Sequence, residues 1–376
     1  MTPVKVILVG AGGMGKAWLS TIIADPDVEL VGVVDLDLAT AQQAVADAGV
    51  SDVALGRDAV ELAASTGATA VINVTVPRAH HPVTTAALFA GLPVLGEKPV
   101  ADTVAQGLSL VAAAEASGQL FVVSQSRRYN PQVFAFKEQA RALGELGVLT
   151  TEFYKAPHFG GFREEMAHVL LVDMAIHPFD TARFLLDAEP VSVYCEEYNP
   201  AWSWYAGDAA ASAIFEMTGG LRYVYTGSWC APGQETSWNG SWRLSAATGS
   251  ATWNGDDAPV LDAEPALTPA AATDPGDGIA GSLATFVAAL RGGATPMGEV
   301  HENVLSLVMV EAAIESSTTG ARVRVDDVLE RAYTQALAEE QREDVRAVLE
   351  SWTSVRTALT GGAAGGVAGV RAVPHS

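Results

Sequence analysis

The sequence predicts an α/β protein in which an N-terminal doubly wound parallel sheet is followed by an α+β domain with a large open, mainly antiparallel sheet. Three observations carry this. Short β-branched runs alternate with longer Ala-rich amphipathic stretches from Val4 to about Gln119, a G-x-G-x-x-G run lies where the first strand meets the first helix, and beyond Phe121 strand follows strand through Gly-containing turns.

Val4 to Val9, Glu29 to Val34, Ala70 to Val74, Pro93 to Leu95 and Leu120 to Val123 read as buried parallel strands, because they are short, β-branched and bounded by turn residues. The stretches between them are helical in period; Asp102 to Ser117 opens with an Asp at the N-cap position. Next come a helix over Pro131 to Leu143, a strand over Gly147 to Lys155 and a helical stretch near Leu170 to Leu186. Strands are expected around Val191 to Glu197, Ala209 to Met217, Leu221 to Ser228, Trp238 to Ala246 and Ala251 to Trp253. The segment 255–278 is rich in Pro, Ala and Asp and reads as an irregular excursion. Helical patterns return near Ile279 to Leu290, Val300 to Ser316 and Asp327 to Ser351, and the Gly- and Ala-rich end is expected to be disordered. The expected domains are thus 1–125, 126–355 and a disordered tail over 356–376.

A length of 376 residues suits two domains. The 22 basic and 44 acidic residues leave a net charge of −22, a field that repels phosphate backbones and anionic lipid, so neither nucleic acid nor membrane is expected as a partner. Two cysteines, Cys195 and Cys230, cannot build a disulfide framework or a four-Cys zinc site. No run approaches the roughly 18 apolar residues that span a bilayer, and the start of the chain lacks signal-peptide character, so a soluble cytoplasmic protein is expected.

The run Gly10-Ala11-Gly12-Gly13-Met14-Gly15 follows a predicted strand and opens a predicted helix, the context that makes it a dinucleotide fingerprint of Rossmann type. Gly10 permits the tight turn, Gly12 lets backbone approach a pyrophosphate, and Gly15 lets helix and strand pack closely; Gly13 and Met14 complete the cofactor-binding run. Asp35 ends the second strand, twenty residues beyond Gly15, where a carboxylate accepts hydrogen bonds from a ribose and repels a 2'-phosphate. Leu36 and Asp37 follow it rather than an Arg, which favours NAD over NADP.

Gly96-Glu97-Lys98-Pro99 follows the predicted strand at Pro93 to Leu95, on the carboxyl edge where ligands of such sheets bind. With the fingerprint and with Asp173-Met174-Ala175-Ile176-His177, it gives the chain a pattern that resembles the Gfo/Idh/MocA family, the glucose-fructose oxidoreductase and inositol dehydrogenase superfamily, over about residues 4 to 330. The resemblance implies a Rossmann domain followed by a domain whose open sheet mediates assembly into a dimer or tetramer. It implies that Lys98 of the Glu-Lys-Pro tripeptide contacts substrate and nicotinamide, with Glu97 beside the cofactor, and that Asp173 and His177 form the family's D-x-x-x-H pair. It also likens Ser126 to Pro131 to the segment leading into the second domain, with Tyr129 there expected as a substrate ligand.

Chemistry supports the same set. Asp173 and His177 are four apart, so on a helix they share a face. Oxidising an alcohol needs a base for the hydroxyl proton, and the imidazole's ordinary pKa suits His177 to that task. Lys98 would position the hydroxyl and stabilise alkoxide character, while Asp173 would bind a neighbouring hydroxyl or tune Lys98 and His177. The competing readings are a His177 that merely precedes Pro178 in a helical first turn, and a metal site of His158, His168 and His177; the latter lacks a zinc spacing, and no metal is expected.

The segment from His158 to His168 borders the substrate pocket in the family. Here it offers Arg163 and His168 as substrate ligands; Arg163 could fork onto a carboxylate or sulfonate, or pair with Glu164 or Glu165 at the surface. Six of the eight tryptophans fall between Trp202 and Trp253, either to meet the apolar faces of sugars or to form a packed or oligomeric face. His80 and His81 precede Pro82 and read as the start of a helix near the cofactor. The expected function is NAD-dependent oxidation of a secondary hydroxyl of a sugar, inositol or related polyol. The alternative is a redox-neutral NAD-dependent glycosidase acting on a glycoside such as an anionic sulfosugar.

Overall fold

The computed structural model describes residues 2–361, which fall into two compact units. The first comprises residues 2–126, Asp277–Val304 and 330–361; the second comprises Arg127–Gly276 and Leu305–Leu329. This corrects the expected boundary at 355, because the helices of the C-terminal region divide between the units. The expected tail is also shortened: 355–361 is helical, and 362–376 lies outside the described residues.

In the first unit, β1 (Val4–Val9), α1 (Gly13–Ala24), β2 (Val28–Val34), α2 (Leu38–Asp47), β3 (Ala54–Gly56), α3 (Ala59–Thr66), β4 (Ala70–Asn73), α4 (Pro77–Phe89), β5 (Val94–Glu97), α5 (Val104–Ser117) and β6 (Phe121–Ser124) alternate without exception. The sheet runs β3-β2-β1-β4-β5-β6 with every pair parallel, the order of a Rossmann fold with its reversal between β1 and β4. β4, β5 and β6 are buried at every residue, as strands covered on both faces must be. β3 escaped the sequence reading: three residues of an edge strand carry too little apolar pattern to register. Asp102 does not cap α5; Thr103 does, its hydroxyl accepting the Gln106 N–H at 3.2 Å, and Gly118 ends the helix in the left-handed conformation. Trp18, Leu19 and Ile22 of α1 share one core cluster with Val6, Leu8 and Ile72 of the sheet and with Leu283 and Phe286 of α8 (Gly278–Leu290). That burial is what draws α8 into this unit.

In the second unit, α6 (Pro131–Ala142) is capped by Asn130, whose side chain accepts the Gln132 N–H, and carries Pro at its start. It is followed by β7 (Leu146–Tyr154), α7 (Ile176–Leu186), β8 (Pro190–Tyr198), β9 (Ala210–Met217), β10 (Arg222–Ser228), β11 (Ser241–Ala246), β12 (Gly249–Trp253) and β13 (Val260–Ala263). Most of α9 (Val300–Thr319), the two-residue β14 (Val323–Arg324) and the start of α10 (Val325–Glu339) also belong here, whereas the rest of α10, α11 (Glu343–Ser351) and α12 (Val355–Gly361) belong to the first unit. The eight-stranded sheet runs β13-β12-β11-β7-β10-β9-β8-β14. It is antiparallel except where β10 lies parallel to β7. β13 lies inside the stretch expected to be irregular, so that reading is corrected for Val260–Ala263. Phe179 of α7 packs edge-on against Phe215 and Tyr225 of the sheet, with ring centroids 4.8 and 5.3 Å apart.

A buried polar cluster pins the start of this unit to its helices. Arg128 grips Asp180 with two parallel bonds of 2.6 and 2.8 Å, both side chains 1% exposed. Ser306 of α9 donates to the same carboxylate at 2.7 Å and accepts from Arg183 at 2.7 Å.

Candidate active site

The glycine-rich turn is shaped for an anion. Gly10 has a φ of +102°, and a Cβ there would lie 2.8 Å from the Val74 carbonyl oxygen; a Cβ on Gly15 would lie 2.2 Å from the Gly10 carbonyl oxygen. At Gly12 and Gly13 the same atom would meet nothing within 4 Å, so the backbone is bare where a pyrophosphate must approach. α1 starts there with no side-chain cap and no acidic residue in its first turn, which leaves its leading N–H groups for a ligand. Met14 is exposed beside them. Asp35 accepts the Ala11 N–H at 2.9 Å through one oxygen and the Asp37 N–H at 2.9 Å through the other, so it braces the turn from the end of β2. These residues fit a dinucleotide.

At the end of β5, Lys98 is half-buried and joined to Pro99 by a cis peptide bond. The turn is held from two sides. His80 places Nδ1 2.7 Å from the Pro99 carbonyl and Nε2 2.9 Å from that of Thr75, and burial pulls its pKa down. Glu97 accepts Trp18 Nε1–H at 2.8 Å and the Lys98 N–H at 3.1 Å and is buried, with burial raising its carboxyl pKa. Glu97 is thus a strut between α1 and the Lys98 turn. One placement is corrected: His80 sits within α4, whose first residue is Pro77, and supports the same turn.

In the second unit, Asp173 does not lie on an ordinary helix. Leu170–Ala175 is a π-helical segment that runs into α7 at Ile176, so the expected α-helical i, i+4 face is only partly realised: Asp173 is on the wide turn and His177 on the α-helix. Arg163 Nε donates to Asp173 at 2.6 Å, with side chains 33% and 15% exposed, rather than to Glu164 or Glu165. The same guanidinium lies over the Phe159 and Phe162 rings.

His177 lines a pocket with Arg127, Phe153, Met174, Trp238, Asn239, Trp242 and Trp253. Trp238 is 41% exposed, whereas Trp242 and Trp253 are buried. Arg127 donates to the Asn239 side-chain oxygen at 2.8 Å, and burial lowers its pKa. Sequence reasoning assigned Arg127 no role and treated the tryptophans only as a group. The adjacent Arg127 and Arg128 were the available signal, and no local pattern distinguishes the one paired with Asp180 from the one turned to a pocket.

Two further assignments change. Tyr129 is 1% exposed and belongs to the core, so it is corrected from substrate ligand to packing residue. His168 is held by Glu197, 2.9 Å from its Nδ1, and His158 stacks on Trp204 at 3.7 Å, so the three-histidine cluster does not form.

Comparison with known proteins agrees with this architecture. A family model described as an oxidoreductase family with an NAD-binding Rossmann fold matches residues 4–125, and one for the GFO/IDH/MocA C-terminal domain matches 139–252. Inositol 2-dehydrogenase 4 of Saccharopolyspora erythraea is 33% identical over 193 residues, which cover 50% of this chain and 56% of that protein; the chain thus spans about half the length of that relative. An oxidoreductase from Agrobacterium radiobacter, solved with NAD+, L-tartaric acid and magnesium, superposes with a TM-score of 0.78 at 19% identity, covering 87% of this chain and 100% of that one. The WlbA dehydrogenase of Bordetella pertussis, solved with NADH and UDP-GlcNAcA, gives 0.73 at 19% identity over 86% and 98% of the two chains. With the bare glycine turn on α1, the Lys98-Pro99 turn after β5 and the Asp173 to His177 segment in place, the chain belongs to the Gfo/Idh/MocA family of NAD-binding oxidoreductases.

Proposed function

We propose that this oxidoreductase removes hydride from a secondary hydroxyl carbon of a sugar, inositol or sugar derivative, with Lys98, Asp173 and His177 as the catalytic residues. The observation that carries the reading is the pocket at His177, where tryptophan rings flank a histidine, an arginine and an amide. The apolar C–H faces of a pyranose or cyclitol suit Trp238, while Arg127 and Asn239 suit its oxygens. NAD, when bound, supplies the hydride acceptor. The hydroxyl proton goes to the His177 imidazole as the C–H bond breaks and the C=O bond forms. The Lys98 ammonium steadies the developing alkoxide, and Asp173, anchored by Arg163, orients a neighbouring hydroxyl.

Relatives named as inositol dehydrogenases support a polyol or sugar class for the substrate. Assembly into a dimer or tetramer through the eight-stranded sheet belongs to the same proposal. The test mixes the protein with NAD and a panel of free sugars, inositols and aryl or anionic glycosides, following NADH and aglycone together. Net NADH is expected. Aglycone release without net NADH would assign the chain to redox-neutral hydrolysis instead, and neither signal from any member would defeat the proposal.

A further inference from the structure

Outside the pocket at His177, one side-chain cluster in the second unit has the chemistry of a metal site. His168, Glu197 and Asp208 each bring one ligand atom within 4.8 Å of the others. They come from three separate places: two residues before the π-helical segment, the end of β8, and the approach to β9. The fold builds this meeting. The Asp208 N–H donates to the Ala167 carbonyl at 2.8 Å and the Ala206 N–H to that of Glu164 at 2.8 Å, so the two loops lie strapped together. A Cβ on Gly207 would lie 2.2 Å from the Ala167 carbonyl oxygen, so this close approach needs glycine.

A second observation concerns Glu197 itself. Its side chain is only 1% exposed; one oxygen faces His168 Nδ1 at 2.9 Å, and the other, Oε1, is buried with no hydrogen-bond partner. A buried carboxyl oxygen without a hydrogen-bond donor, beside a second carboxylate, offers a place that a cation would fill. We infer that His168, Glu197 and Asp208 bind a divalent transition ion of the zinc class, which fastens the chain ahead of Asp173 to the sheet. One imidazole among two carboxylates favours such an ion over magnesium or calcium, and three protein ligands leave a position for water. His168 is 33% exposed, which gives the ion a way in. The cluster has no recognisable spacing in the sequence, its carboxylates lying 29 and 40 residues beyond the histidine.

The test strips the protein with chelator and titrates it with Zn²⁺ by calorimetry, and separately follows the visible spectrum on adding Co²⁺. One ion per chain is expected, with a higher thermal midpoint. Glu197→Gln and Asp208→Asn, each near the natural shape and checked for folding by circular dichroism, should each weaken binding by about tenfold or more and abolish the thermal shift. Absence of stoichiometric Zn²⁺ binding in the natural protein would overturn the inference. So would binding that survives unchanged in both variants, since the ion would then sit elsewhere on an acidic surface.

Discussion

At the scale of single residues, the proposed chemistry makes His177 and Arg127 separable. His177→Ala should lower kcat by about 10²- to 10⁴-fold, the range for loss of a general base, while leaving NAD affinity unchanged in a fluorescence titration. Arg127→Ala should act mainly on KM, and more for anionic than for neutral sugars, as substrate competition assays would reveal. His301 carries a pH signature. Burial alone would pull its imidazole down, but bonds to Glu115 at 3.1 Å and Glu299 at 2.8 Å outweigh burial and raise it to about 9. Because that lies above the ordinary 6.5, the stabilisation is complete below about pH 6.5 and is lost as pH rises through about 9. Thermal midpoints of the natural protein and His301→Gln should therefore differ at pH 6 and converge above pH 9. Residues with a backbone duty, such as Gly10 and Gly15, were legible because one residue type satisfies one geometry. Tyr129 was misplaced because adjacency in sequence does not reveal which neighbour turns inward.

At the scale of elements, periodicity identified nearly every strand and helix that buries a wide apolar face, including all the four-residue strands of the parallel sheet. It missed β3, β13 and β14, which are short edge strands whose pairing is decided by the neighbouring strand. The π-helical turn at Leu170–Ala175 was invisible for a related reason: an extra residue in one turn leaves the apolar count intact. The Arg128–Asp180 pair ties the start of the second unit to α7. Arg128→Ala leaves that carboxylate buried without its partner, so it should cost about 3–5 kcal/mol of unfolding free energy, measured as a fall in denaturant midpoint. A loss below about 1 kcal/mol would mean that Ser306 and Arg183 suffice to hold Asp180.

At the scale of the molecule, the alternation of strand and helix made the first unit legible, whereas the boundary of the second did not follow from sequence. α8 joins the first unit because Leu283 and Phe286 complete a core begun by Trp18 and Ile22, a contact between residues some 260 positions apart. The net charge of −22 excludes no small substrate, but it makes a locally placed arginine necessary for an anionic one. Light scattering after gel filtration should give the mass of two or four chains, and a single-chain mass would remove the sheet as an assembly surface. The most direct measurement uses a substrate from the active panel deuterated at the reacting carbon, with mass spectrometry of the nicotinamide after one turnover. Deuterium should appear in the reduced cofactor with the natural protein, and about 10²- to 10⁴-fold more slowly with His177→Ala. Turnover of that substrate with no deuterium on the nicotinamide would contradict hydride transfer and the function proposed from it.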